Sequence, residues 1–146
     1  MPVRKFLGIV ALFLALAVLP LSAYSATVYV SNQGIDKIQV VDTNAKQVVK
    51  EIVVEKTPHN LLFSSDKKWL FVASVGSGDL TILDVEKGEI AAKVPADKRA
   101  HGLALSPNGK ELYVINVGAD NVSVVDLVEK KVVATIAVGK APAPTT

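Results

Sequence analysis

A block of sequence recurs every 42 residues, and this restricts the fold more than any other feature of the chain. Tyr29-Val30-Ser31-Asn32 returns as Phe71-Val72-Ala73-Ser74 and again as Tyr113-Val114-Ile115-Asn116. Gly34, Gly76 and Gly118 keep the same step, as do Asp42, Asp84 and Asp126. A fixed period of this size means an array of equivalent units, each burying its apolar side against the next. Register holds through the turns: residues 27–58 and 111–142 are identical at 15 of 32 positions without a gap. Such duplication specifies a scaffold closely and leaves the ligand open.

Each full period contains four short apolar runs rich in β-branched residues, which predicts four strands. In one unit they are His59–Ser64, Trp69–Val75, Leu80–Val85 and Glu89–Val94; in the next, His101–Ser106, Glu111–Val117, Asn121–Leu127 and Lys131–Val138. An earlier unit enters late and supplies three runs, Thr27–Ser31, Lys37–Val41 and Gln47–Val54. The connections read as hairpins. Ser106-Pro107-Asn108-Gly109 combines a proline preset for a turn with a glycine free to take positive φ. Asp42, Asp84 and Asp126 each close an apolar run, where a short carboxylate can cap the following turn. One repeated capping role accounts for all three copies better than catalysis does.

Runs such as Leu70-Phe-Val-Ala-Ser-Val75 do not alternate between apolar and polar, as expected of a strand covered on both faces. Four-stranded antiparallel meanders stacked face to face around an axis create that environment, which predicts an all-β fold of β-propeller blades. The expected organisation is a partial blade at 26–58, blades at 59–100 and 101–142, and a tail at 143–146. That gives about three blades in an open or incomplete ring, whereas closed propellers use roughly four to eight. Either further units follow or chains assemble to complete a ring. The former is preferred here, because Pro142 and Pro144 suit an inner strand poorly.

Residues 1–25 read as a secretory signal. Arg4 and Lys5 precede an apolar stretch from Phe6 to Leu19, then Pro20 and the small residues Ser22, Ala23, Ser25 and Ala26. The stretch is short for a bilayer span, which needs about 20 residues, so no stable membrane span is expected after cleavage. Without Arg4 and Lys5 the remaining chain balances 14 basic against 14 acidic side chains. That argues against nucleic acid as a partner, since phosphate neutralisation needs a clustered basic surface. The chain has no cysteine, hence no disulfide, thiolate metal site or covalent haem attachment. Export without disulfides suits a bacterial periplasm or the outside of a microbial cell.

Tyr113-Val-Ile-Asn, Pro58-His59-Asn60 and His101-Gly-Leu-Ala-Leu-Ser-Pro-Asn-Gly109 together resemble the YVTN-type β-propeller repeat. So does Val124-Val-Asp126 followed by Lys131-Val-Val-Ala-Thr-Ile-Ala-Val-Gly139. The resemblance covers residues 27–142. It implies an exported or cell-surface propeller and no particular activity. Some proteins of this type sit near quinoprotein dehydrogenases or other periplasmic redox systems. A more distant resemblance reaches the propeller that holds haem d1 in nitrite reductases. Trp69 stands where Glu111 stands, and the unit of 59–100 lacks the glycine that Gly109 supplies; both read as drift.

In a four-stranded meander the loop entering the first strand and the loop joining the second to the third lie at one end. The entering loops carry Lys56, His59, Lys98, His101 and Lys140; the others carry Asn32, Asp36, Ser74, Asp79, Asn116 and Asp120. Candidate ligand-binding residues on this rim are therefore His59, His101, Lys56, Lys98, Asn32 and Asn116. Lysine would attract an anion, and histidine could meet a metal or haem iron. The plainer reading is that the histidines bond a neighbouring blade's backbone, that the lysines are solvated, and that Tyr29, Phe71 and Tyr113 pack between blades. There is no phosphate loop, no nucleophile elbow and no metal-ligand cluster. The expected function is a non-enzymatic binding or assembly scaffold with no cofactor of its own, taking a protein or small ligand on the rim and self-assembling if no further units follow. The alternative is a redox accessory that binds a cofactor such as haem d1 or partners a quinoprotein dehydrogenase.

Overall fold

The computed structural model describes residues 26–143. The signal expected over residues 1–25 and the tail residues 144–146 lie outside the described residues. Everything described is strand and turn. The strands are β1 (Thr27–Asn32), β2 (Lys37–Asp42), β3 (Gln47–Val53), β4 (Pro58–Phe63), β5 (Trp69–Ser74), β6 (Asp79–Asp84), β7 (Glu89–Pro95), β8 (Ala100–Leu105), β9 (Glu111–Asn116), β10 (Asn121–Asp126) and β11 (Lys131–Ala137). They form three antiparallel meanders: β1-β2-β3, β4-β5-β6-β7 and β8-β9-β10-β11. The fold is thus an all-β run of propeller blades, and the described residues form no closed ring.

The strand ends fall within one residue of those expected from sequence, because the turns are chemically marked. The carboxylates of Asp42, Asp84 and Asp126 accept backbone N–H bonds in the turns that follow them, from Asn44 and Ala45, from Lys87, and from Val128 and Glu129. A β-bulge recurs beside each of these turns, at Val40/Val41, Ile82/Leu83 and Val124/Val125.

Face-to-face packing of consecutive sheets supplies the core. Ile38, Val40, Ile52 and Val54 of the first sheet meet Leu70, Val72 and Leu83 of the second. Phe71, Ala73, Leu80, Ile82 and Val94, on the second sheet's other face, meet Leu103, Leu112, Val114 and Val125 of the third. β5 is therefore buried on both sides, which is why its sequence does not alternate. Tyr29 packs at the first junction and meets Phe63 edge-on, with ring centroids 5.5 Å apart. Phe71 lies in the second junction, whereas Tyr113 is half-buried and donates to Glu111 at 3.1 Å. Trp69 has a specific partner: the Lys130 ammonium of the next blade lies 5.4 Å from its ring centroid.

The missing glycine has a structural consequence. Lys67 holds the place of Gly109, and both adopt the left-handed region, at φ 59° and 68°. A residue with a Cβ pays for this conformation by about 1–2 kcal/mol, and glycine's freedom in the unfolded chain returns part of the difference. Lys67 is exposed, so Lys67→Gly removes strain without opening a cavity. Urea denaturation should show the variant about 0.5–1 kcal/mol more stable; a less stable variant would contradict the strain at this turn.

Candidate functional site

The innermost strands β4 and β8 lie side by side, and each carries a bulge near its start. Pro58 pairs with Ser74 and Asn60 with Ala73, which leaves His59 as the extra residue. Ala100 pairs with Asn116 and Gly102 with Ile115, which leaves His101 in the same situation. A bulge turns its extra side chain away from the regular alternation. Here it turns both toward one point. The two imidazole rings stack with centroids 3.9 Å apart and planes 35° from parallel. His59 is exposed and His101 half-buried. The first blade reaches this point as well, since Ser31 Oγ donates to the His59 carbonyl at 2.9 Å.

The entering loops lie directly over the loops joining second and third strands. Val75 N donates to Thr57 O at 2.9 Å and Gly76 N to Lys56 O at 3.0 Å. One period later Val117 N donates to Arg99 O at 3.2 Å and Gly118 N to Lys98 O at 3.1 Å. Glycine is required for this approach: a Cβ at Gly76 would lie 2.7 Å from Thr57 Oγ1 and 2.9 Å from Lys56 O. Asp36 Oδ1 secures the first entering loop by accepting from Thr57 N at 2.8 Å. Lys56 and Lys98 are exposed at the crests of these loops.

Asn32 and Asn116 occupy one repeat position and turn into their own sheets. Asn116 is fully buried and donates to Asn121 Oδ1 and Ser123 Oγ, both at 2.8 Å. Asn32 makes a longer contact, 3.4 Å, to Gln39 Oε1. From Asn121 the network continues outward. Its amide donates to Asp97 Oδ2 at 2.7 Å, while Asp97 Oδ1 accepts from Lys98 N at 2.7 Å. These bonds, the Asn121 amide foremost and then the Lys98 N–H, hold the Asp97 carboxyl below the usual carboxylate range. Asn116 thus braces the loop that carries Lys98 and Arg99 into His101.

Sequence reasoning did not single out Ser31, Asp97, Arg99 or Asn121. Asp97-Lys98-Arg99 is a visible charge run, but nothing in it shows that Asn121 would fasten it. Arg99 is exposed, adopts φ 58°, and bears on His101 electrostatically. Burial, then the neighbouring His59, then Arg99 depress the affinity of His101 for a proton. Its Nδ1 is buried and without a hydrogen-bond partner. Among the described residues no cluster of three or more histidines and carboxylates could hold a metal ion, and no helix is long and apolar enough to cross a membrane.

No protein-family model and no curated protein matches the chain. Solved structures do. Hydrazine synthase of Kuenenia stuttgartiensis is similar over 81% of this chain and 34% of its own, with a TM-score of 0.75 at 22% identity. A dihydro-heme d1 dehydrogenase, NirN, in complex with DHE is similar over 82% of this chain and 28% of its own, with a TM-score of 0.70 at 22% identity. A functionally unknown protein from Desulfotomaculum acetoxidans is similar over 82% and 39%, with a TM-score of 0.74 at 14% identity. The chain therefore spans about a third of the length of these structures. At such identities the likeness establishes the fold, and the fold is of the β-propeller type.

Two outcomes follow from this geometry. Gly76→Ala should lose about 1–3 kcal/mol in urea denaturation, whereas Gly34→Ala should be nearly neutral. At Gly34 a Cβ would meet only Asn32 Oδ1, at 3.7 Å; equal losses would contradict the close approach. For His101, the folded protein binds the proton less readily than the unfolded chain, whose imidazole titrates near 6.5. Stability from this group is therefore unaffected above about pH 6.5 and falls as pH drops from there toward the lower folded value. Thermal melts of His101→Ala should lack the part of the decline that sets in below about pH 6.5; an unchanged decline would show that His101 is not its source.

Proposed function

We propose that this chain is an exported β-propeller repeat protein of the YVTN type that acts as a non-enzymatic binding scaffold, with its ligand site on the inner rim. One observation carries the reading: two successive units each spend a β-bulge on a histidine, and the bulges bring His59 and His101 into contact. Lys56, Lys98 and Arg99 stand exposed in the loops that lead into the two histidine strands, and Arg99 bears on His101 electrostatically. Asn116 supports the loop of Lys98 and Arg99 through Asn121 and Asp97. A rim of this kind suits an anionic group on a small ligand or protein. The leader-like residues 1–25 support a periplasmic or extracellular location.

A second reading, a redox accessory propeller holding a haem d1-type group, is favoured by the partnerless Nδ1 of His101 and by the fold shared with NirN. His101 would hold such a group through an imidazole nitrogen, and Lys98 or Arg99 would attract its carboxylates. When bound, such a group would supply the redox chemistry; the chain's own residues would anchor and orient it.

NMR titration with inorganic phosphate tests the first reading. Shifts should centre on His59, His101 and residues 98–99. Absence of shifts would overturn it. Addition of hemin, with a Soret shift that His101→Ala abolishes, would favour the second reading instead.

A further inference from the structure

The repeat makes the two outermost sheet faces of this chain equivalent to faces that are buried inside it. On the last sheet, Ile136 and Val138 are 49% and 39% exposed. Their counterparts one and two periods earlier, Val94 and Ile52, and Val54, are 2%, 7% and 6% exposed, packed against the next sheet. On the first sheet, Val28 and Val30 are 46% and 40% exposed. Their counterparts Leu70 and Leu112, and Val72 and Val114, are completely buried against the preceding sheet. Each end of the stack thus presents the half of a junction that the other end lacks.

The backbone repeats the same relation. Thr57, Arg99 and Ala141 hold one repeat position with φ of 57°, 58° and 49°. Ala141 N donates to Asp120 Oδ1 at 2.9 Å, as Thr57 N does to Asp36 Oδ1. The chain therefore leaves the last sheet through the turn that launches an inner strand elsewhere. Pro142 is no obstacle, because its counterpart Pro58 opens β4. On the first sheet no entering loop among the described residues covers the receiving position. Gly34 N, equivalent to the Gly76 N that bonds Lys56 O, bonds its own neighbour Asn32 Oδ1 at 3.2 Å.

We propose that a second copy of this chain packs head to tail on the first, the Ile136–Val138 face of one against the Val28–Val30 face of the other, with the Ala141 carbonyl reaching Gln33 N–H as Thr57 O reaches Val75 N–H. The junction is heterologous: one face meets a different face, and two such junctions can close a ring. Two copies place six sheets around one axis, within the range of roughly four to eight found in closed propellers. Closure also brings the rim of each copy, with its histidine pair and basic loops, onto a common axis. The inference does not depend on what the rim binds. Apolar sheet faces of this kind are otherwise a liability for uncontrolled association.

Light scattering coupled to size exclusion tests it on the purified chain. The expected species has twice the chain mass. Ile136→Lys and Val28→Lys should each give a monomer, because each disables one half of every junction. Mixing the two variants should restore a dimer, since one junction then joins two intact faces. A wild-type chain that stays monomeric at about 100 μM, well above the Kd of a specific interface, would overturn the inference. So would a dimer untouched by either substitution, or a mixture of variants that stays monomeric. Both side chains are exposed in the single chain, and circular dichroism checks that the sheets persist. Should lysine unfold either variant, Ile136→Thr and Val28→Thr keep β propensity, and a dimer undiminished in both would equally count against the proposal.

Discussion

The structure depends on one constraint: a four-stranded sheet with two apolar faces must be covered on both. Burial of a leucine or valine side chain is worth about 1.5–3 kcal/mol, and Leu70, Val72, Leu112 and Val114 gain this only because a neighbouring sheet closes over them. No single blade can satisfy that requirement alone. Stacking is therefore the source of stability, and the period of 42 residues is its trace in the sequence. The same constraint makes the two ends of the stack the least satisfied parts of the molecule.

Regular strands would give the inner rim no distinctive chemistry. What individualises it are departures from regularity. His59 and His101 leave the pairing pattern of β4 and β8 at equivalent bulges. Thr57 and Arg99 leave the extended conformation at equivalent turns, and Gly76 and Gly118 let the loops settle onto the strands behind them. Each irregularity is repeated, so each belongs to the design of the unit. Between units the side chains vary: Asn116 with Ser123 in the last blade is Ser74 with Thr81 in the middle one, where both hydroxyls are buried without a partner.

Much of the fold was legible because its signals are local. Turn carboxylates such as Asp84 and Asp126, glycines such as Gly109, and the non-alternating run through Leu70–Val75 each mark their element without help from distant residues. The rim was legible in outline, since meander topology places Lys56, His59, Lys98 and His101 at one end. The roles of single residues were not. Asn116 has the same composition signal as a ligand residue, yet it is buried under Asn121 and Ser123. Trp69 reads as an isolated departure until Lys130, from another blade, is found over its ring.

By itself the sequence determined the unit, its four strands, its turns and the two-sided burial of its middle strands, because hydrophobic period and turn chemistry act between residues close in the chain. Only the tertiary structure decided that His59 and His101 stack, that Asp97 is fastened by Asn121, and that Val28 and Ile136 on the outer faces stand exposed where their repeat counterparts are buried. Those outcomes depend on bulges and on contacts between blades, and the relative placement of residues 42 positions apart is set by packing rather than by any local preference of the backbone.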